Sequence, residues 1–402
     1  MEKTITNFFE KYIKKESIFS NKKLLQSSYL PENILHRDKQ IEQIAQVLAP
    51  ALRLDKPSNL FIYGKTGSGK TVTIKYASKE LFEVAQKQNL PIKVVYLNCK
   101  MKKVTDTEYR LIAQLAREFG KDIPPTGLPT DEIYKIFFST VDKEKQIVLL
   151  ILDEIDQLIK KAGDEILYNL TRINEDLKNA QISVIGISND LTFVDNIDPR
   201  IRSSLSEEEI VFPPYNAVQI QEILKDRAKH TFKPGALSQG VIEKCAAYAA
   251  REHGDARRAL ELLRVAGELA ERKSESKIAL EDIDEAQDKI EHDRVTDIIT
   301  TQPKQFQAIL YSILLINNPK KEILYTGEVY EIYKELCNKT ILRPLTQRRL
   351  SDVIAELDML GIITAKVISK GRYGRTREIS IPTFISSNPE IVKILKEGLE
   401  LK

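Results

Sequence analysis

The sequence predicts a layered α/β domain with a parallel sheet, then a small all-helical domain, then a domain of three helices and a β-hairpin. Short apolar strands alternate with helical segments in the first half of the chain, which is typical of a parallel sheet with helical crossovers. Residues 217–289 have helical periodicity throughout, and two strand patterns follow three further helices near the C-terminus. The chain of 402 residues is also too long for one core, because domains usually hold about 100 to 200 residues.

The α/β domain is predicted over residues 29–214, after an N-terminal extension of residues 1–28. Within the extension, residues 5–18 have the spacing of a short amphipathic helix. The elements of the domain are expected in this order: helix 37–52, strand 59–63, helix 72–85, and strands 94–97, 147–152 and 182–187. Strand 147–152 is apolar throughout, so we expect it at the centre of the sheet.

One crossover of this domain is longer than a parallel sheet requires. Two helical segments, 106–119 and 130–141, lie between strands 94–97 and 147–152. A simple parallel crossover needs only one helix. We therefore expect an inserted helix at about residues 104–121.

A helical lid domain is predicted over residues 215–295 and a last domain over residues 300–402. The helices expected in the lid are 218–230, 240–252, 256–272 and 280–290, before a polar stretch at 292–304. The elements expected in the last domain are helices 305–316, 326–338 and 346–360 and strands 362–369 and 376–381. Three helices followed by a hairpin predict a winged helix-turn-helix.

Composition and charge restrict the class of protein. With 42% hydrophobic and 30% charged residues, the chain suits globular packing and not disorder. Its longest apolar run, residues 147–152, is far shorter than the roughly 20 residues that cross a bilayer, and residues 1–19 do not resemble a secretory signal. We therefore expect a cytoplasmic protein with no membrane partner. Residues 300–402 carry 16 Lys and Arg against 11 Asp and Glu, so the basic charge lies at the C-terminal end, where a polyanion is expected to bind.

The loop after strand 59–63 has the spacing of a phosphate-binding loop. Residues 64–71 read GKTGSGKT and match GxxxxGK[ST] between a predicted strand and a predicted helix. Glycines let backbone N–H groups surround phosphate oxygens, and the N-terminus of the following helix favours negative charge. The candidate nucleotide-binding residues are Gly64, Thr66, Gly67, Ser68, Gly69, Lys70 and Thr71. Lys70 is expected to contact the β and γ phosphates and Thr71 to bind Mg²⁺.

An acidic pair, Asp153 and Glu154, follows the central strand directly. Ligands of open α/β sheets bind at the carboxyl ends of the strands, where this pair emerges. We expect Asp153 to hold Mg²⁺ and Glu154 to orient and deprotonate the attacking water. Asn189 follows the fourth strand and is placed to bond the γ-phosphate or that water, the alternative being a turn cap. Arg257 opens a lid helix and is a candidate for the γ-phosphate, the alternative being an ordinary surface arginine.

The C-terminal domain has two candidate DNA-binding segments. The N-terminal half of helix 346–360 presents Thr346, Arg348, Arg349 and Ser351, and the third helix of such domains usually enters the major groove. The hairpin tip is the most basic string in the chain, and its candidate residues are Lys370, Arg372, Tyr373, Gly374 and Arg375. The alternative for this domain is protein binding, with the tip acting only as a soluble turn.

Taken together, these motifs resemble an AAA+ ATPase of the initiator clade, and specifically the archaeal origin-recognition family, the homologues of cell division control protein 6. The shared motifs include LHRD at 35–38, the glycine loop, LDEID at 152–156, DPR at 198–200, FPPY at 212–215 and GDAR at 254–257. The resemblance implies that Asn189 is sensor 1 and Arg257 sensor 2, and that Tyr215 and Arg227 line the nucleotide pocket. It places a trans-acting arginine at a position that here falls on Ser204, so Arg200 and Arg202 are the candidates for that finger.

The resemblance implies a replication initiator that binds ATP or ADP with Mg²⁺ and double-stranded origin DNA. It further implies that the protein helps to recruit or load the replicative helicase, works with paralogous initiators and associates with the nucleoid. We expect slow ATP hydrolysis that serves as a conformational switch. The alternatives are a clamp-loader-like or chaperone-like machine acting on protein and a nucleotide-gated transcription regulator. In the resembled family the inserted helix also approaches DNA, and the basic residues near it are Lys100, Lys102, Lys103, Arg110, Arg117 and Lys121.

Overall fold

A computed structural model describes residues 16–27, 29–100, 107–124, 127–193, 197–205, 207–317, 323–369 and 375–401. The chain divides into two compact units, of which the first ends at Ile283 and the second begins at Asp284. Across the described ranges, none of the helices has both the length and the apolar character that a bilayer crossing requires.

The first unit is built on a five-stranded parallel sheet with the strand order β2-β3-β4-β1-β5. The strands are β1 (Leu60–Gly64), β2 (Ile92–Asn98), β3 (Gln146–Asp153), β4 (Ala180–Ser188) and β5 (Glu208–Phe212). The helices around the sheet are α1 (Asp38–Leu48), α2 (Lys70–Lys87), α3 (Glu108–Glu118), α4 (Thr130–Val141), α5 (Ile155–Ala162), α6 (Glu165–Arg172) and α7 (Pro199–Leu205). The predicted α/β class is confirmed, and seven of the eight residues of β3 are buried, as expected of a central strand.

The sequence prediction missed several elements of this sheet layer. Strand β5 was not predicted because its sequence, EEIVF, has two glutamates and buries only Ile210 and Phe212, as an edge strand does. The short helices α5, α6 and α7 were also missed. The predicted N-terminal helix lies mostly outside the described residues, and residues 16–18 are not helical.

Helices α8 (Ala217–Thr231), α9 (Val241–Arg251) and α10 (Ala256–Lys273) complete the first unit. Helix α8 starts with a capping box, in which Asn216 and Gln219 each bond the backbone of the other. Asp255 caps the N-terminus of α10, where its carboxylate accepts from the N–H groups of Arg257 and Arg258. Helix α11 (Leu280–Thr301) begins in the first unit and ends in the second. The prediction of a polar link at 292–304 was therefore wrong for residues 292–301.

The second unit has the predicted winged helix-turn-helix arrangement. Its helices are α12 (Lys304–Ile316), α13 (Thr326–Thr340), α14 (Gln347–Met359), α15 (Thr383–Ser386) and α16 (Pro389–Gly398), of which the last two were not predicted. Its antiparallel sheet has the order β6-β8-β7, formed by β6 (Leu324–Tyr325), β7 (Thr364–Ser369) and β8 (Arg375–Ser380). Helix α14 buries Leu350, Val353, Ile354 and Leu357, which recur at helical spacing on one face.

Candidate functional site

The glycine-rich loop lies between β1 and α2 and is in close contact with the start of α10. Gly67 and Gly69 have φ angles of 72° and 91°, which glycine adopts more easily than any residue with a Cβ atom. A Cβ at Gly67 would lie 1.8 Å from Asp255 Oδ1, and one at Gly69 would lie 2.6 Å from Tyr215 Oη. The Ala256 N–H also donates to the Gly67 carbonyl at 3.3 Å. A side chain at Gly67 would therefore collide with Asp255 at the start of α10, and one at Gly69 would collide with the Tyr215 hydroxyl.

Lys70 is the buried cation of this loop. Its ammonium donates to the carbonyl oxygens of Gly64 at 2.7 Å and Lys65 at 2.9 Å, and to Asn189 Oδ1 at 2.9 Å. Burial, and next the positive charge of Arg257, lower the pKa of Lys70 from 10.5 to about 8. Asn189, which was placed after the fourth strand by sequence alone, therefore contacts the loop lysine directly.

Asp153 and Thr71 meet at the carboxyl end of β3. The Thr71 hydroxyl donates to Asp153 Oδ2 at 2.9 Å, and the Tyr96 hydroxyl donates to the same oxygen at 2.6 Å. Asp153 Oδ1 accepts from the Glu154 N–H at 3.0 Å. Asp153 is only 5% exposed, so its hydrogen bonds are made to these protein donors and little of its carboxylate faces solvent.

Glu154 has an unusual backbone conformation at the start of α5. Its φ of 56° lies in the left-handed region, which non-glycine residues adopt at a cost of about 1 to 3 kcal/mol. Its carboxylate lies 3.9 Å from the Lys100 ammonium. Such strain is often found at functional sites.

Arg37 is a buried residue beside the loop, and sequence reasoning gave it no role of its own. Its side chain is 2% exposed, and it donates from Nε to the Ser68 carbonyl at 2.9 Å and from Nη2 to the Pro213 carbonyl at 2.6 Å. Its guanidinium lies 3.7 Å from the centre of the Tyr215 ring. Arg37 therefore ties the glycine loop to the segment that leads from β5 into α8. Of the loop residues, Ser68 is buried and Thr66 is exposed.

A cleft opens beside the loop, and Gly67 and Gly69 form part of its lining. Tyr215, Arg227 and Arg257 line this cleft together with Thr71. The Arg227 guanidinium lies 4.6 Å from the centre of the Tyr29 ring, and burial lowers the pKa of Arg227. The four sequence-selected residues are therefore brought to one cleft by α2, α8, α10 and the segment that precedes α8.

The two candidate finger arginines lie elsewhere, on α7. Arg200 is paired with Asp198 at 2.9 Å, and its side chain is 72% exposed. Arg202 is also exposed. Among the described residues, the cleft lining includes neither arginine.

The N-terminal half of α14 presents a polar and basic surface. Thr346 caps the helix by accepting from the Arg349 N–H at 3.3 Å, and Arg348 and Arg349 are exposed. Arg349 also lies 3.8 Å from two acidic side chains of its own helix, Asp352 and Glu356. The remaining candidate, Ser351, accepts from Arg377 Nε on β8 at 3.1 Å. This bond makes Ser351 a link between helix and hairpin.

The hairpin tip and part of the inserted segment lie outside the described residues. Arg375 is the first residue of β8, and its side chain lies outside the described part of the chain. The candidates outside the described residues are Lys370, Arg372, Tyr373, Gly374, Lys102 and Lys103. Helix α3 occupies the predicted inserted position, where Arg117 bonds the Ile123 carbonyl at 2.8 Å and Lys121 is exposed.

Comparisons with known proteins agree with this arrangement. Sequence profiles match an AAA domain over residues 53–193, a Cdc6 AAA+ ATPase-type lid domain over residues 221–288 and a CDC6 C-terminal winged helix domain over residues 297–386. The chain is 53% identical over 381 residues to the ORC1-type DNA replication protein of Pyrococcus abyssi, which covers 94% of this chain and 90% of that protein. It is 50% identical over 401 residues to ORC1-type DNA replication protein 1 of Methanosarcina mazei, covering 99% and 95% of the two chains. The structure of the Aeropyrum pernix ORC1 protein in complex with DNA is similar with a TM-score of 0.85 and 42% identity, over 95% of this chain and 98% of that one.

Proposed function

The chain belongs to the family of ORC1-type DNA replication proteins. From that premise we propose that it is a replication initiator, which binds ATP or ADP and also binds double-stranded origin DNA. The resemblance to the archaeal origin-recognition family is confirmed by these relatives and by the three matching domain profiles. Membership of this family favours replication over the protein-remodelling and transcriptional alternatives.

The observation that carries nucleotide binding is the convergence of Lys70, Thr71, Asp153 and Asn189 at one loop, beside a cleft lined by Tyr215. The loop N–H groups and Lys70 would hold the phosphates, and the cleft would hold the base. Phosphates would replace the carbonyl partners of Lys70 with full negative charges, which interact more strongly with an ammonium. Tyr215 offers an apolar ring, already stacked on Arg37, to one face of the base.

The donor set beside the loop also fits Mg²⁺. Thr71 Oγ1 and Asp153 Oδ2 are hard oxygen atoms 2.9 Å apart, and Mg²⁺ usually binds proteins through one or two carboxylates together with phosphate oxygens. When bound, the ion would neutralise charge on the phosphates. Glu154 is proposed to orient and deprotonate water, while Asn189 and Arg257 are proposed to act at the γ-phosphate. We propose that hydrolysis is slow and that the bound nucleotide sets a conformational state, with Arg200 or Arg202 acting on a neighbouring subunit.

The winged-helix unit is proposed to bind the duplex through α14 and the hairpin. Exposed Arg348 and Arg349 sit at the end of α14 that normally meets base edges and phosphates. Thr346 and Ser351 are proposed to contact phosphates, and the bond of Ser351 to Arg377 would hold the hairpin in register with the helix. The basic tip at 370–375 and the segment around α3 are proposed as further contacts.

Three further roles are proposed from membership of the family alone. We propose that the protein helps to recruit or load the replicative helicase, cooperates with paralogous initiators and works on the nucleoid. We also propose an AAA+ domain at 29–214, a lid at 215–295 and a DNA-binding domain at 300–402.

Footprinting of the purified protein on genomic DNA fragments, with and without ATP and Mg²⁺, tests this function. We expect a small number of protected sites near a replication origin, whose extent or strength changes with the nucleotide. Protection scattered across promoters would support the transcriptional alternative instead. Absence of any protection at low ionic strength would contradict the proposal.

A further inference from the structure

Tyr96 lies on the edge strand β2, beside the strand that ends in the acidic pair. The parallel register places Tyr96 opposite Ile151 and Asn98 opposite Asp153. Residues two apart on a strand face the same side, so the Tyr96 ring and the Asp153 carboxylate share one face of the sheet. A ring is long enough to reach the diagonal neighbour, and the Tyr96 hydroxyl accordingly donates to Asp153 Oδ2 at 2.6 Å.

The Asp153 carboxylate is held at both oxygens. Oδ2 accepts from Tyr96 and from Thr71, and Oδ1 accepts from the Glu154 N–H. A rotation of the carboxylate that freed Oδ2 would break the bonds from Tyr96 and Thr71 together. Of the two side-chain donors, Thr71 is itself expected to bind the metal ion, so Tyr96 is the one that can hold Asp153 without also being a ligand.

The Tyr96 side chain is held at two points, of which the bond from its hydroxyl to Asp153 is one. The Lys75 ammonium lies 3.8 Å from the centre of the Tyr96 ring, and this cation–π contact covers the ring. The ring is therefore fixed from one side and the hydroxyl from the other.

We propose that Tyr96 is a positioning residue that fixes the Asp153 carboxylate for the Mg²⁺ ion of the bound nucleotide. This inference rests on the proposed function, since it concerns the metal that accompanies ATP or ADP. Residues that hydrogen-bond a metal ligand typically change metal affinity about 10- to 100-fold when they are removed. Tyr96 is not itself among the described residues that line the cleft, and a change to Phe keeps the ring that contacts the lining residue Lys75, so loss of the hydroxyl is expected to spare binding of the nucleotide itself.

The test compares Tyr96→Phe with Tyr134→Phe in the full-length protein. Both changes remove one hydroxyl that bonds a carboxylate at 2.6 Å, but Tyr134 on α4 bonds Glu108 on α3 and not the acidic pair. A fluorescent ATP analogue is titrated against each protein in EDTA, and then Mg²⁺ is titrated at fixed analogue. We expect Tyr96→Phe to raise the Mg²⁺ midpoint about tenfold, with the affinity in EDTA within about twofold of wild type. Tyr134→Phe should leave both values unchanged.

Two results would overturn the inference. One is a Mg²⁺ midpoint in Tyr96→Phe within about twofold of wild type, or a wild-type affinity that does not respond to Mg²⁺ at all. The other is an equal loss of affinity with and without Mg²⁺, because that would make Tyr96 a general support of the fold. Failure of the proposed function looks different: the wild-type protein would then not bind the analogue under either condition.

Discussion

Replacement of Arg37 by Met is the most informative single change at the nucleotide site. Methionine keeps most of the apolar stem and removes the guanidinium, which donates to the Ser68 and Pro213 carbonyls and stacks on the Tyr215 ring. Hydrogen bonds from a charged donor contribute about 1.5 to 3 kcal/mol each. A cation–π contact adds about 0.5 to 2 kcal/mol. Relief of the cost of burying the guanidinium offsets part of this sum, so we expect a net loss of about 3 kcal/mol of unfolding free energy.

The assay is urea denaturation of the variant, paired with ADP titration under native conditions. Because Arg37 anchors both the loop and the Tyr215 segment, ADP affinity should fall at least tenfold while the protein is still folded. Arg53→Met is the matched control: Arg53 is exposed in the same unit, so its loss should cost less than about 0.5 kcal/mol. A loss below about 1 kcal/mol in Arg37→Met, or unchanged ADP affinity, would refute the assignment of Arg37 as the anchor of the loop.

Three further predictions concern the two units separately. Arg348→Ala and Arg349→Ala should each weaken duplex binding. Removal of each phosphate-binding side chain should also reduce the magnitude of the slope of log K against log salt concentration by about 1. An unchanged slope in both variants would exclude α14 from the interface. Ile341→Gly should raise the unfolding free energy of the winged-helix unit by about 1 kcal/mol in urea, because Ile341 is 98% exposed with a φ of 56° at a helix C-cap where glycine is favoured. A lower stability would show that its side chain packs after all. Lys70 has its pKa lowered to about 8, and bound phosphates favour the charged ammonium, so ADP binding at pH 8.5 should take up part of a proton and at pH 6.5 almost none. Calorimetry in buffers of different ionisation enthalpy measures this uptake, and equal uptake at both pH values would exclude Lys70 as its source.

Features that depend on residues close together in the chain could be predicted from the sequence. The glycine loop and the acidic pair depend on residues within a few positions of each other, so their spacing alone placed them at strand ends. Helix α14 (Gln347–Met359) was likewise predicted from local periodicity, as helix 346–360. Strand β5 was not, because an edge strand with solvent-facing glutamates carries too few apolar residues to show a pattern.

Contacts between distant segments could not be predicted in this way. Arg37 bonds carbonyls 31 and 176 residues away, and neither partner contributes a side chain that a sequence pattern would reveal. The bond from Tyr96 to Asp153 depends on strand register, which the sequence does not specify. The extension of α11 to Thr301 rests on buried Val295 and Ile299, whose helical spacing of four is hidden within a polar stretch.

Separation of the two binding activities tests the central claim most directly. Lys70→Ala and the double variant Arg348→Ala/Arg349→Ala are titrated with ADP and, independently, with an origin duplex at low salt. We predict that Lys70→Ala loses ADP binding yet still binds the duplex, whereas the double variant binds ADP like wild type and loses most of its affinity for the duplex. ADP binding by Lys70→Ala at wild-type strength, or duplex binding by the double variant at wild-type strength, would contradict the account.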